Sequence, residues 1–479
     1  MSSLTLSRTR TGLVAAATAV LLVATTACGA SRGDSGGGPS VPAGTNGASS
    51  GATSSTTATF GTLQSPCGKG DASGATDQGV TDSAITIGYG DDRGFTGQPG
   101  LDQEIGDATK AMIAWCNQQG GINGRQVTGD FYDAAMTQTE TAMQSACKRD
   151  FMLVGEGWAN DESAEQTRVD CNLAAVPAFA VGPDVSNGPM LYTAAPVPVD
   201  YQPATTFFQL AQHFPQTKDA FAFLNTTLPV NASIVARSTP AVEAAGFKVI
   251  NCGVTLNYMG EPNYLPFAQR LKACGAKIFY ITNSPGPVVE GIISALAQVG
   301  DKALFVMQHN GYDENFAKWN TAGYADNVYV ESEFQPMENA SVVPAVQQYL
   351  DILKASGGKT GLLGMAAASS FLLWATAAKA CGSTLTRQCM IDKLSAVHEW
   401  TGGGLHAPTD PGGNQLADCD MTLKMTGTSW AQVYPAEQGK FDCDAKYLVK
   451  VPASGWNTTL NSDRIATKFL TSGIIKPQS

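Results

Sequence analysis

The chain has 479 residues, of which 43% are hydrophobic and 15% charged, so it carries ample apolar material for stable cores and global disorder is excluded. At roughly 150 residues per folded unit, this length predicts two or three units. A net charge of −11 argues against a nucleic-acid or anionic-membrane surface, which would need Lys and Arg in excess.

Arg8 and Arg10 precede an uncharged apolar stretch, Leu13 to Ala27, too short to span a hydrocarbon core of about 30 Å comfortably as a helix. Residues 1–27 therefore read as an export signal peptide. The stretch ends in Thr25-Thr26-Ala27-Cys28-Gly29, which resembles a bacterial lipobox with Cys28 as the lipidated first mature residue. Acyl chains there would hold the protein on the outer face of the cell membrane without spanning it. Simple cleavage is the alternative. From Gly29 to Leu63 the residues are mostly Gly, Ser, Thr and Ala, a composition that cannot offset the entropy of ordering, so residues 28–64 are expected to form a lipidated Cys and a flexible tether.

Short apolar runs then alternate with helical patterns. Ala84–Gly88, Val127–Tyr132, Phe151–Val154, Phe221–Leu224, Lys277–Ile281, Ala303–Met307 and Val328–Val330 are candidate strands. Most are continuously apolar, as parallel strands covered on both faces should be. Ile105, Ala108, Met112 and Trp115 recur at helical spacing, as do Val289, Ile292, Ile293, Leu296 and Val299 before the stop at Gly300. Repeated βα units predict an α/β protein of two doubly wound parallel-sheet lobes joined by a multi-strand hinge.

Two prolines in Ala195-Pro196-Val197-Pro198 favour an extended connection and place the first crossing there. Glu333 to Pro344 is a second candidate and Gly402-Gly403-Gly404 a third. The expected lobes are residues 65–197 with 335–400, and 198–334 with 401–479. The uncharged stretch Thr360 to Ala378 approaches membrane-span length but is rich in Ala, Ser and Gly, and is read as a buried helix. The tail from about Ala407 is read as a disulfide-stapled addition to the second lobe.

Without Cys28, ten cysteines remain, an even number in a chain bound for an oxidising compartment. Sequence alone does not fix their connectivity. Closing short loops between neighbours favours Cys147–Cys171, Cys252–Cys274, Cys381–Cys389 and Cys419–Cys443, which leaves Cys67–Cys116. No metal site or cofactor is expected: there is no CxxC, and His213, His309, His398 and His406 stand at no zinc-ligand spacing.

Gly79-Val80-Thr81-Asp82 leading into Ile85-Thr86-Ile87-Gly88, followed by Gly120-Gly121-Ile122-Asn123-Gly124-Arg125, resembles the leucine/isoleucine/valine-binding family of type I periplasmic solute-binding proteins. The glycine pair suits a left-handed helix end, and Asn-Gly turns the chain into the next strand. The resemblance spans roughly residues 80 to 400. It implies a Venus-flytrap receptor that takes a small-molecule solute and delivers it to an ABC permease. Presentation of the closed form to a signalling partner is the alternative.

In such folds ligands sit outside the carboxyl ends of the strands. The resemblance places first-lobe contacts at Trp158, Ala159 and Asn160 and at Ala178, Phe179 and Ala180. The family's Ser and Thr hydroxyls fall on Ala159 and Ala180, leaving backbone donors there. In the second lobe the family's aromatic contact falls on Val230 and its amine-binding carboxylate on or near Asn310. A buried ammonium needs a negative partner, which Asn310 cannot supply; Asp91, Asp92, Glu156 and Asp313 are other candidates for that charge. Asn160, Asn225, Asn283, Ser284 and Asn310 fit a neutral, amide-bearing or otherwise polar ligand better. No Walker A loop or HExxH motif is present, and the only GxSxG strings, Gly33-Asp34-Ser35-Gly36-Gly37 and Gly47-Ala48-Ser49-Ser50-Gly51, fall in the tether and not at a strand-to-helix elbow, so the sequence does not read as an enzyme.

Overall fold

The structure is a computed structural model that describes residues 58–478. The signal peptide, Cys28 and most of the tether lie outside the described residues. The described chain opens with a hairpin in which β1 (Thr59–Phe60) pairs antiparallel with β2 (Leu63–Gln64). Composition puts these residues in the tether, but Phe60 is fully buried and meets Trp115 edge-on at 5.7 Å. The Thr62 N–H donates to the Gly403 carbonyl at 2.9 Å. One aromatic ring in a polar tract, whose burial stabilises by roughly 2 kcal/mol, ends the tether a few residues early.

The first lobe is built on four parallel strands, β3 (Ala84–Asp91), β4 (Gln126–Asp133), β5 (Leu153–Val154) and β6 (Ala175–Val176), in the order β4-β3-β5-β6. Ile85 and Ile87 of β3 are fully buried. Between β3 and β4 runs the helix Gln103–Gln118, which buries Ile105, Ala108 and Met112 as their spacing predicts. Its exit turn carries positive φ at Gly120, Gly121, Asn123 and Gly124. A side chain at Gly121 would stand 2.0 Å from the Arg125 carbonyl, so only glycine fits. Helix Leu362–Cys381 is long and apolar enough to cross a membrane but is packed into this lobe, with Phe371 and Trp374 fully buried.

A first crossing leads through β7 (Tyr201–Pro203) to the second sheet. There β8 (Phe221–Thr226), β9 (Thr255–Leu256), β10 (Ile278–Ile281), β11 (Leu304–Met307) and β12 (Val328–Ser332) are parallel, in the order β9-β8-β10-β11-β12. The strand order β4-β3-β5-β6 of the first sheet repeats in β9-β8-β10-β11, the doubly wound pattern in both lobes. Beyond β12 the second sheet is extended by β13 (Cys419–Thr426) and β14 (Ser429–Tyr434), both antiparallel.

The tail divides. β15 (Asp442–Cys443) pairs with β13 of the second sheet, and β16 (Leu448–Lys450) pairs with β7. Residues 457–478 instead return to the first lobe. The Ala466 N–H donates to the Asn187 carbonyl at 2.8 Å and Ile475 N–H to Asn172 at 3.2 Å. Lys468 reaches both Glu162 and, at 3.2 Å, Asp184. Arg464 also grips Asp200 through two bonds of 2.8 Å. Thus the end of the chain is a strap over both lobes rather than an addition to one. Five disulfides close Cys67–Cys116, Cys147–Cys171, Cys252–Cys274, Cys381–Cys389 and Cys419–Cys443, the pairing that short-loop closure favours.

Candidate functional site: the cleft between the lobes

The carboxyl ends of both sheets face one cavity of about 200 Å³. Its first-lobe wall includes Phe95, Leu101, Ala159, Ala178, Phe179 and Ala180, and its second-lobe wall Val230, Ile234, Asn283, Ser284 and Asn310. Crossing segments close its base: Ala195 to Pro198, Glu333-Phe334, and Thr409 with Leu416-Ala417 all line it. Above the base the lobes touch, with the Gln98 side-chain amide donating to the Pro285 carbonyl at 2.6 Å.

Eight of the eleven residues expected to contact a ligand therefore line the cavity. Three do not. Trp158 is 2% exposed and packs into a small core with Ala134, Met143 and Leu153; a strand-end ring finds more apolar contact under the sheet than in the cleft. Asn160 turns outward, where its amide donates to the Met136 carbonyl at 3.3 Å. Asn225 lies on β8 behind the wall and accepts from Thr282 at 3.5 Å.

Several of the remaining polar groups are already engaged. Asn310 donates to the Ser284 hydroxyl at 2.9 Å, and Asn283 accepts from Asn231 at 3.0 Å. The Ala159 N–H is held by Asp92 at 2.7 Å and the Ala178 N–H by the Glu156 carbonyl at 2.8 Å. Of the acids considered as amine partners, Asp91 pairs with Arg93 at 2.6 Å. Asp92 also accepts from the Met136 N–H at 2.6 Å. Asp313 caps the helix Glu314–Trp319 through the Phe316 N–H. None of Asp91, Asp92, Glu156 and Asp313 lines the cavity.

The charged lining comes from elsewhere, from Asp102, Arg237, His309, Glu331, Glu333 and Asp420. Glu331 and Glu333 share a face because side chains alternate along an extended segment. The Tyr280 hydroxyl donates to Glu331 at 2.7 Å. Burial pushes the Glu331 carboxyl up to about 8 in spite of that bond. His309 lies 3.1 Å from Glu333. Burial pulls the imidazole down, but the adjacent carboxylate outweighs it and leaves His309 above its ordinary value. Burial likewise opposes ionisation of Glu333, and the imidazolium outweighs it, leaving Glu333 below the usual carboxylate range. At Asp420, burial followed by repulsion from Glu333 and Glu331 drives the carboxyl well up. Burial and then Glu104 do the same at Asp102. No sequence motif marks these groups: Asp102 directly precedes a helix and Arg237 lies inside one, His309 and Glu333 stand two residues and one residue past strand ends, and Glu331 and Asp420 lie on β12 and β13.

Two lobes, a hinge of crossing strands and a ligand-sized cleft with convergent polar groups define a binding protein of the flytrap class. A family model for periplasmic binding proteins matches residues 84–428, and the chain belongs to that family. No curated protein sequence matches it. Similar solved structures include a fatty acid ABC transporter substrate-binding protein from Thermomonospora curvata, with 12% identity, 80% of this chain and 97% of that one covered, and a TM-score of 0.64. A leucine-binding protein from Thermotoga maritima has 13% identity, coverage of 73% and 97%, and a TM-score of 0.61. A solute-binding protein from R. palustris in complex with 4-hydroxybenzoate has 14% identity, coverage of 77% and 98%, and a TM-score of 0.59. At these identities the likeness establishes the fold.

Proposed function

We propose that this chain is an extracytoplasmic solute-binding lipoprotein that captures a small organic molecule by closure of its two lobes and delivers it to an ABC importer. One observation carries this: the cavity is walled by residues of both sheets and floored by the crossing segments, so bending at the hinge alters every wall at once. A ligand that touches both walls favours the closed form by its differential affinity. Ala159, Ala178, Phe179, Ala180, Val230, Asn283, Ser284 and Asn310 are the contacts proposed from the sequence that also line the cavity. The family and the ABC transporter proteins of like fold support delivery to a permease. Anchoring through Cys28 is supported by the sequence alone.

Mass spectrometry of small molecules retained by the exported protein, followed by calorimetric titration of the one found, tests the binding. A retained solute that binds at a stoichiometry of one supports it; an empty protein that binds nothing in a broad metabolite panel contradicts it. Metabolic labelling with an alkyne fatty acid tests the anchor, with label expected on the native protein and absent after Cys28→Ala.

A further inference from the structure

We propose that the solute is a carboxylate with an apolar body, and that the guanidinium of Arg237 takes the carboxylate side-on. This rests on the cleft being a solute site and goes beyond it by naming what the solute carries. Val230, Ile234 and Arg237 stand four and three residues apart on the helix Val230–Ala244, hence on one face, and all three line the cavity.

Arg237 is only 7% exposed, and a guanidinium keeps its charge inside a protein, so its donors need acceptors. Among the described residues it makes one hydrogen bond, from Nη1 to the Val197 carbonyl at 3.2 Å. Its Nε is buried without a partner. Nη2 likewise has no acceptor among the described residues, and no carboxylate lies within ion-pair reach. Nε and Nη2 form the side edge of the guanidinium, the edge that matches the two oxygens of a carboxylate in parallel bonds.

The other buried arginines show how this protein treats such a group. Arg125 donates to the carbonyls of Thr81, Gly382 and Gly74. Arg387 donates to those of Phe151, Cys171 and Asp150. Arg168 holds Glu165 by two bonds and two carbonyls besides. Arg237 alone of the four faces the cleft, and among the described residues it alone has its Nε buried without an acceptor.

The acids of the lining do not supply its counter-ion. Glu333 is paired with His309 and Glu331 accepts from Tyr280. The carboxyl groups of Asp102 and Asp420 have no hydrogen-bond partner among the described residues, and burial drives both towards the neutral acid. Neutral carboxyls do not repel an anion. Beyond Arg237 the same helix face continues with Ile234 and Val230, opposed by Phe95 and Phe179, which sets an apolar body next to the anchored charge. A cation held between Asp102 and Asp420 is the competing outcome.

The test is calorimetric titration of the exported full-length protein with hexanoate, 4-methylpentanoate, benzoate and phenylacetate, each beside its primary amide and the matching amine. At least one acid is expected to bind about 30-fold more tightly than its amide, the worth of a buried charge-assisted pair. In Arg237→Gln that preference should fall to about threefold or less with the amide affinity nearly unchanged, and Arg237→Lys should be intermediate. Melting curves establish that each variant is folded, and the acid–amide comparison on the unaltered protein needs no variant. Amides or amines that equal the acids, or an acid preference undiminished in Arg237→Gln, would overturn the proposal. Retention of only neutral or cationic solutes would overturn it and leave the cleft as a solute site. No solute retained, with scattering unmoved, would overturn both.

Discussion

The Lys359 ammonium stands 2.9 Å from the Asp313 carboxylate and 3.2 Å from that of Glu104. Glu104 and Lys359 belong to the first lobe and Asp313 to the second, so one side chain ties the lobes across the cleft. Both Lys359 and Asp313 remain partly exposed, at 17% and 16%, which keeps the tie at about 1 kcal/mol. Lys359→Met should therefore favour the open form and weaken solute binding about fivefold. Calorimetry reads the affinity, and a larger radius of gyration without solute should accompany the loss.

The strap makes a second tie. Residues 457–478 are held to the first lobe by Asn187, Asn172, Glu162 and Asp184, while β16 just before them is paired with β7. Ending the chain after Trp456 should expand the unliganded protein and lower its melting temperature. Lys468→Ala alone should have a small effect, because that side chain is 54% exposed and exposed ion pairs contribute little. Scattering and thermal melts on both variants check this.

The His309–Glu333 pair predicts a pH window. The folded His309 lies above its ordinary value of 6.5, so its contribution is complete below that value and is lost as pH rises through the folded value. Glu333 lies below its ordinary 4.5, so its contribution is present above that value and is lost as pH falls through the folded one. The stability gap between the native protein and His309→Gln should be widest between pH 4.5 and 6.5 and should narrow on either side. Denaturant titrations across that range measure it.

Loop length ranks the disulfides. Cys67–Cys116 joins residues 49 apart and Cys381–Cys389 residues only 8 apart. Chain entropy assigns them about 4 and about 2.5 kcal/mol respectively. Urea unfolding should accordingly show the double Ala variant of the first pair to be less stable than that of the second by about 1.5 kcal/mol. Equal losses would mean that native-state packing, rather than the unfolded chain, sets the cost.

The two-residue edge strands β6 and β9 are too short to give an apolar run, but continuous runs mark most of the parallel strands of both sheets, because strands covered on two faces leave little else to read. Even there the ends were short. The pattern stopped at Val330, whereas β12 continues to Ser332, and the residues past the apolar run, Glu331 and Glu333, are the ones that face the cleft. Trp158 and Asn160 lie on the expected loop, but their directions depend on Met136 and the core around Leu153, contacts that local sequence does not encode. Nothing in the sequence singles out Arg237; only the packing of its helix against the first crossing, where it bonds the Val197 carbonyl, turns it inward. The strap is illegible in the sequence because it has almost no regular structure and is held by scattered hydrogen bonds and ion pairs to residues well over two hundred positions away.

Small-angle scattering of the exported protein, with and without a solute shown by calorimetry to saturate it, tests lobe closure most directly. A fall in radius of gyration that tracks the binding isotherm is the predicted result. Saturation with no change in the scattering profile would contradict it, because the guest would then occupy a rigid body.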